Sequence, residues 1–215
     1  MPKIVHAAVA CLTVLICNVA DAVPVTSLPG STAYRFAPVQ FSAIGTQTIA
    51  PGITWSTDAV AIYGWTGQYY FEWNGYWNAP FGMPYIATAS PTGTMSITFD
   101  TPVEGVGAFL NYERGGDGGT IGPGVPAVIA VYDASNTLLE STTLSFWTGD
   151  PNSNDLGEFH GFLHSSADIA SIRFTGSFIA ATNLQVVAVP EPGSYALMLT
   201  GLAALGFAVK RRLKS

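Results

Sequence analysis

Between Thr94 and Phe99 the side chains alternate one by one, with Thr94, Ser96 and Thr98 polar and Met95, Ile97 and Phe99 apolar. A period of two is the mark of a strand that buries one face and leaves the other in water. Val106, Ala108 and Leu110 continue the pattern after a Thr-Pro-Val-Glu-Gly connection. Pro126 to Tyr132 reads as a mostly apolar strand, Asp133-Ala134-Ser135-Asn136 as turn material, and Leu138 to Trp147 as the returning partner. Further strands are expected at Glu158 to Leu163, Ile169 to Thr175 and Asn183 to Val189. No apolar stripe between Val23 and Val189 recurs at the helical spacing of about 3.6 residues. Short strands, glycine-rich turns and no helix predict an all-β fold, an antiparallel β-sandwich of which a jelly roll is one form. An outer-membrane barrel fits poorly, because the strands are few, uneven and acidic.

The two ends of the chain are of a different kind. Lys3 and the terminal amine precede a mostly apolar stretch, Ile4 to Ile16, and Ala20-Asp21-Ala22 has the A-x-A form of a signal-peptidase site. Residues 1–22 are therefore expected to be a signal peptide, with the exported chain starting at Val23. At the other end, Pro190-Glu191-Pro192 is followed by an apolar run from Ser194 to Val209 and then by Lys210, Arg211, Arg212 and Lys214. As a helix this run would be about 24 Å long, slightly short of an average bilayer core. The basic cluster suits the cytoplasmic side of a membrane. A transmembrane helix is accordingly expected at about 194–209.

The tripeptide, the apolar segment and the basic end, in that order, resemble the sorting signal of PEP-CTERM proteins of Gram-negative bacteria, over residues 190–215. The resemblance implies recognition by an exosortase, a membrane-embedded peptidase or transpeptidase, with Pro190, Glu191, Pro192, Arg211 and Arg212 as the sorting residues. It also implies transient anchoring in the inner membrane, cleavage near the tripeptide, and delivery to the cell surface or extracellular matrix. Such proteins are often found in bacteria that make exopolysaccharide, biofilms or flocs. Residues Gly105 to Thr175 are also similar to the sandwich domains that commonly precede this tail. That similarity rests on the segments GVGAFLNY, VYDASNTLLES and FHGFLHSSADIASIRFTG, and it implies a fold rather than an activity.

Residues 23–189 are expected to form one domain, of a length typical for a single core. Both cysteines, Cys11 and Cys17, lie in the leader, so this exported domain must stand without disulfides. Its bases are Arg35, Arg114 and Arg173, against twelve acids, a formal net charge of −9. Nucleic acid as a partner is excluded on that balance, because binding it needs a basic face. A soluble extracellular protein or a cation binder fits.

Four stretches are candidate sites. From Tyr63 to Tyr85 the chain is dense in aromatics, which serve either as core or as platforms for sugar rings. Trp73 and Trp77 are the residues expected to meet a glycan if the second reading holds. Asp150, Asn152 and Asn154 alternate like the first oxygen ligands of a calcium loop, with Asp155 and Glu158 close behind. The full EF-hand spacing is absent, since Asp155 stands where its glycine belongs and Gly161 where its last glutamate belongs. The glycine-rich run from Glu113 to Gly124 opens no helix and belongs to no βαβ unit, so it reads as a connection. His160 and His164 lie four apart in a strand-like segment, where they would point to one side, with Glu158 two before. They lack the His-Glu-x-x-His pattern of a zinc peptidase, and no Gly-x-Ser-x-Gly elbow is present. The expected role is non-enzymatic, a surface or matrix module engaging extracellular polysaccharide or neighbouring proteins. A hydrolase of extracellular glycans is the alternative.

Overall fold

In the computed structural model, the described residues are 22–71, 74–77, 82–113, 125–147, 154–155, 157–188 and 200. Residues 1–21 of the expected signal peptide, the glycine-rich run 114–124, the calcium candidates Asp150 and Asn152, and the sorting residues from Pro190 onward lie outside them. So does the apolar run at 194–209, apart from Thr200.

The structure is built from strands: β1 (Val23–Val25), β2 (Thr32–Tyr34), β3 (Phe41–Ala43), β4 (Thr46–Ala50), β5 (Ile53–Thr57), β6 (Ala61–Trp65), β7 (Tyr69–Tyr70), β8 (Tyr76–Trp77) and β9 (Tyr85–Thr88). After these come β10 (Thr94–Val103), β11 (Gly105–Asn111), β12 (Val128–Tyr132), β13 (Leu138–Thr143), β14 (Asn154–Asp155), β15 (Glu158–Leu163), β16 (Ile169–Thr175) and β17 (Ala180–Val187). One sheet runs β1-β15-β11-β17-β9-β6-β3, with β2 also on β17; a second runs β13-β12-β16-β10-β5-β4. Every pairing in these two sheets is antiparallel.

The period-two pattern decides which side chains face inward. Trp55, Met95, Ile97, Val131, Ile172 and Phe174 of the six-stranded sheet meet Tyr63, Ile86, Val106, Leu110, Phe162 and Leu184 of the larger one in a single buried cluster. Trp55 and Tyr63 join the layers directly, with ring centroids 5.2 Å apart. This is a β-sandwich, and its core of large rings and branched aliphatics takes the place that disulfides hold in many exported domains.

Several details depart from the sequence expectation. The strand expected from Leu138 to Trp147 ends at Thr143. Strand β10 runs on through Thr101 and Pro102 instead of ending before them, and the ladder with β16 loses register between Thr98 and Val103. Proline, which has no amide hydrogen to give, is tolerated where the ladder is already interrupted. The last strand begins at Ala180, not Asn183. Asn183 is a bulge within it, at φ 52°, a left-handed conformation that asparagine tolerates better than most residues. There β17 changes neighbours, pairing with β9 through Ala180–Thr182 and with β2 through Leu184–Val186. The strands before residue 90 were not expected individually. They are short, and their burial alternates less cleanly than that of β10.

Candidate functional site

The aromatic stretch folds onto the outside of the larger sheet as a third, small sheet of order β14-β8-β7. Strands β7 and β8 form a hairpin in which Tyr69 faces Trp77 and Tyr70 faces Tyr76. At its tip, Phe71 N donates to Gly75 O (2.8 Å) and Asn74 N to Phe71 O (2.9 Å). Gly75 takes a φ of 71°. Fully buried Asn74 ties the tip to the sandwich, its Nδ2 donating to Tyr112 O at 3.0 Å and its carbonyl accepting from Asn111 Nδ2 at 3.4 Å.

Alternation then gives the hairpin two faces. Tyr69, Phe71 and Trp77 turn inward against Tyr85, Ala87 and Ala180 of the larger sheet. Ring centroids lie 4.6 Å apart for Tyr69–Phe71 and 5.4 Å for Trp77–Tyr85. Burial raises the Tyr85 phenol pKa, and neighbouring Tyr69 pushes it further the same way. Tyr69 is raised by burial first and by the negative charge of Glu113 second. The outward face carries Tyr70 and Tyr76, with ring centroids 4.7 Å apart and planes 38° apart. They are 48% and 37% exposed.

Trp77, expected to meet a glycan, is thus 0% exposed and faces the sandwich. The residue before it takes the outward position. Trp73 lies outside the described residues. The outward pair, Tyr70 and Tyr76, was in the aromatic run but not singled out. The usable signal was the hairpin register, which a glycine at position 75 suggests and composition alone does not.

The calcium candidates meet this same sheet. Asn154 and Asp155 form β14, which runs parallel to β8 with Asn154 opposite Tyr76 and Asp155 opposite Trp77. The segment then passes tightly over β11. A Cβ on Gly157, whose φ is 66°, would lie 2.1 Å from the carbonyl oxygen of Leu110 and 3.4 Å from Trp77 Nε1. Glu158 opens β15 and holds its carboxylate 3.2 Å from His160 Nε2. No cluster of three or more His, Cys, Asp or Glu able to hold a metal occurs among the described residues.

The two histidines have separate partners. His160 shares the Glu158 contact and stacks on Phe146, centroids 5.4 Å apart and planes 14° apart. His164 lies past the end of β15, buried, with its Nδ1 bonded to Asp168. Ser166 Oγ donates to the other Asp168 oxygen at 3.1 Å and approaches the same His164 Nδ1 at 3.5 Å. A serine–histidine–aspartate relay needs the acid on one ring nitrogen and the serine on the other. Here both crowd Nδ1 while Nε2 is buried without a partner, so the trio is a lock on the 164–168 turn.

No helix among the described residues is long and apolar enough to cross a membrane. No curated protein matches the chain. Residues 188–212, which adjoin the end of β17, match the family model of the PEP-CTERM protein-sorting motif. The chain therefore carries a PEP-CTERM protein-sorting motif, the address of an exported protein that is sorted at a membrane as an exosortase substrate.

Proposed function

We propose that this exported chain is a non-enzymatic module of the cell surface or extracellular matrix, and that it holds extracellular polysaccharide on the outward face of its small sheet. The observation behind this reading is the Tyr70–Tyr76 pair, two neighbouring rings left open on a hairpin whose Tyr69, Phe71 and Trp77 pack against the larger sheet. Sugar rings present C–H faces that pack on flat aromatic surfaces, and the phenol hydroxyls add hydrogen bonds to sugar hydroxyls. The backbone of Asn154 lies in register with Tyr76 on the neighbouring strand, so β14 borders the pair. The sorting motif supports the setting, since it directs an exported protein to the envelope.

The test is retention of the full chain on extracellular polysaccharide isolated from the producing cells. Replacing both tyrosines with alanine should weaken binding about tenfold, near 1.4 kcal/mol, with the unfolding midpoint unchanged. Undiminished retention in a folded Tyr70→Ala/Tyr76→Ala variant would sink the assignment.

A further inference from the structure

On the opposite side of the sandwich, the outer face of the six-stranded sheet carries a grid of hydroxyls. Register places Thr46, Ser56, Ser96 and Arg173 in one row across β4, β5, β10 and β16. The next row is Thr48, Thr54, Thr98 and Ser171 across the same strands. The residues between the rows, among them Trp55, Ile97 and Ile172, face the core, so the grid residues face outward. Thr46, Thr48 and Thr98 are exposed, and Thr54, Ser56 and Ser96 half-exposed, whereas Ser171 is buried, so the accessible hydroxyls lie on β4, β5 and β10. In a domain with twelve acids, the one charged group in these two rows is Arg173. Its guanidinium lies 3.9 Å from the centre of the Tyr132 ring and is bonded to Asn136.

We infer that this face docks an extended, uncharged β-1,4-linked polysaccharide, laid edge-on across the strands with one sugar to a strand. Neighbouring strands are about 4.8 Å apart, close to the length of one sugar in such a ribbon. A serine or threonine hydroxyl can donate one hydrogen bond and accept two, matching the hydroxyls that line the ribbon's edge; Thr98 Oγ1, which donates to Thr54 O at 3.3 Å, keeps its acceptor capacity. A charged polymer would find little to pair with in the grid and would meet the acidic remainder of the domain if it carried carboxylates. Accessible hydroxyls stand on three neighbouring strands of each row, and sheet twist carries more distant strands out of line, so a run of about three sugars is the longest match. The tyrosine pair suits the ribbon's flat C–H face, whereas this grid suits its hydroxyl edge. The inference rests on the reading that the exported chain meets polysaccharide, but not on Tyr70 and Tyr76.

The experiment uses the full chain, purified in mild detergent, with amorphous cellulose as the neutral probe and immobilised polygalacturonate as the charged one. Thr48→Glu/Thr98→Glu, at exposed positions separated by β5, should weaken retention on cellulose at least fivefold, with an unfolding midpoint like that of the parent. Thr46→Glu/Ser96→Glu, likewise separated by β5, serves as the second pair and should behave alike if the first pair fails to fold. Loss in the glutamate variants, with the Tyr70→Ala/Tyr76→Ala protein still retained, supports the grid and counts against the tyrosine platform. Loss in the tyrosine variant alone leaves the platform standing and removes the grid. A parent chain that ignores cellulose, or binds polygalacturonate only, overturns the inference.

Discussion

Tyr85 shows how a single buried polar atom governs behaviour that its ring alone would not. Its ring fills the space between the larger sheet and the hairpin, yet its hydroxyl is buried without a hydrogen-bond partner. A buried hydroxyl with no partner forfeits its hydration, so Tyr85→Phe should stabilise the fold at neutral pH by about 1 kcal/mol. The sign of the alkaline effect follows from the same burial. A phenol whose folded pKa is raised above the ordinary 10.0 stays protonated in the native state after the unfolded chain has begun to ionise. Its contribution is fully present below pH 10 and is lost as pH rises beyond it. Thermal unfolding followed between pH 7 and pH 11 should show stability falling above pH 10, less steeply in Tyr85→Phe. Tyr63 and Tyr69, both also raised, keep part of the slope. An identical slope in the variant would refute this account. None of this was legible in the sequence, where Tyr85 is one ring among many and nothing marks which hydroxyl lacks a partner.

At the scale of the element, the β7–β8 hairpin divides stability from contact between adjacent residues. Trp77→Ala should cost about 3–5 kcal/mol in denaturant unfolding, because it empties the space under the small sheet. Tyr70→Ala and Tyr76→Ala should each change stability by no more than about 0.5 kcal/mol. A small effect at Trp77, or a large one at Tyr76, would mean that the hairpin faces the other way. The sequence made the strands of the second half readable, since β10, β15 and β16 carry clean alternation or apolar runs bounded by turns. It left the first half obscure, where strands of two to five residues are fixed by what they pack against. The hairpin was visible only as aromatic density. Which ring faces out depends on a register set by a tip at Asn74–Gly75 and by tethers to Asn111 and Tyr112, residues distant in sequence. The same holds for β14, where a stretch resembling a calcium loop becomes the edge strand beside Tyr76. Turn-type residues do not announce that they will pair in parallel with a strand almost eighty positions earlier.

At the scale of the whole molecule, the all-β sandwich and the sorting motif were both legible, for opposite reasons. The sandwich is written redundantly, in many strands that agree on which face is apolar, so errors at β10 and β17 boundaries do not alter it. The motif is written once, in three short parts in a fixed order. Replacing Pro190, Glu191 and Pro192 with alanine should block sorting. An epitope at the C-terminus should then stay with the full-length chain in the membrane fraction, and pulse-labelling should show it leaving the parent protein instead. Persistence of the label on the mature parent would disprove processing. The motif begins at residue 188, directly after β17, and β17 lies in the interior of its sheet, bonded to β11 along one side and to β9 and β2 along the other. A load applied through that end is drawn along a strand clamped on both flanks, so the ladders resist in shear together and cannot peel open one bond at a time. Tension arriving from the sorting end would therefore be shared at once between the ladders on either side of β17.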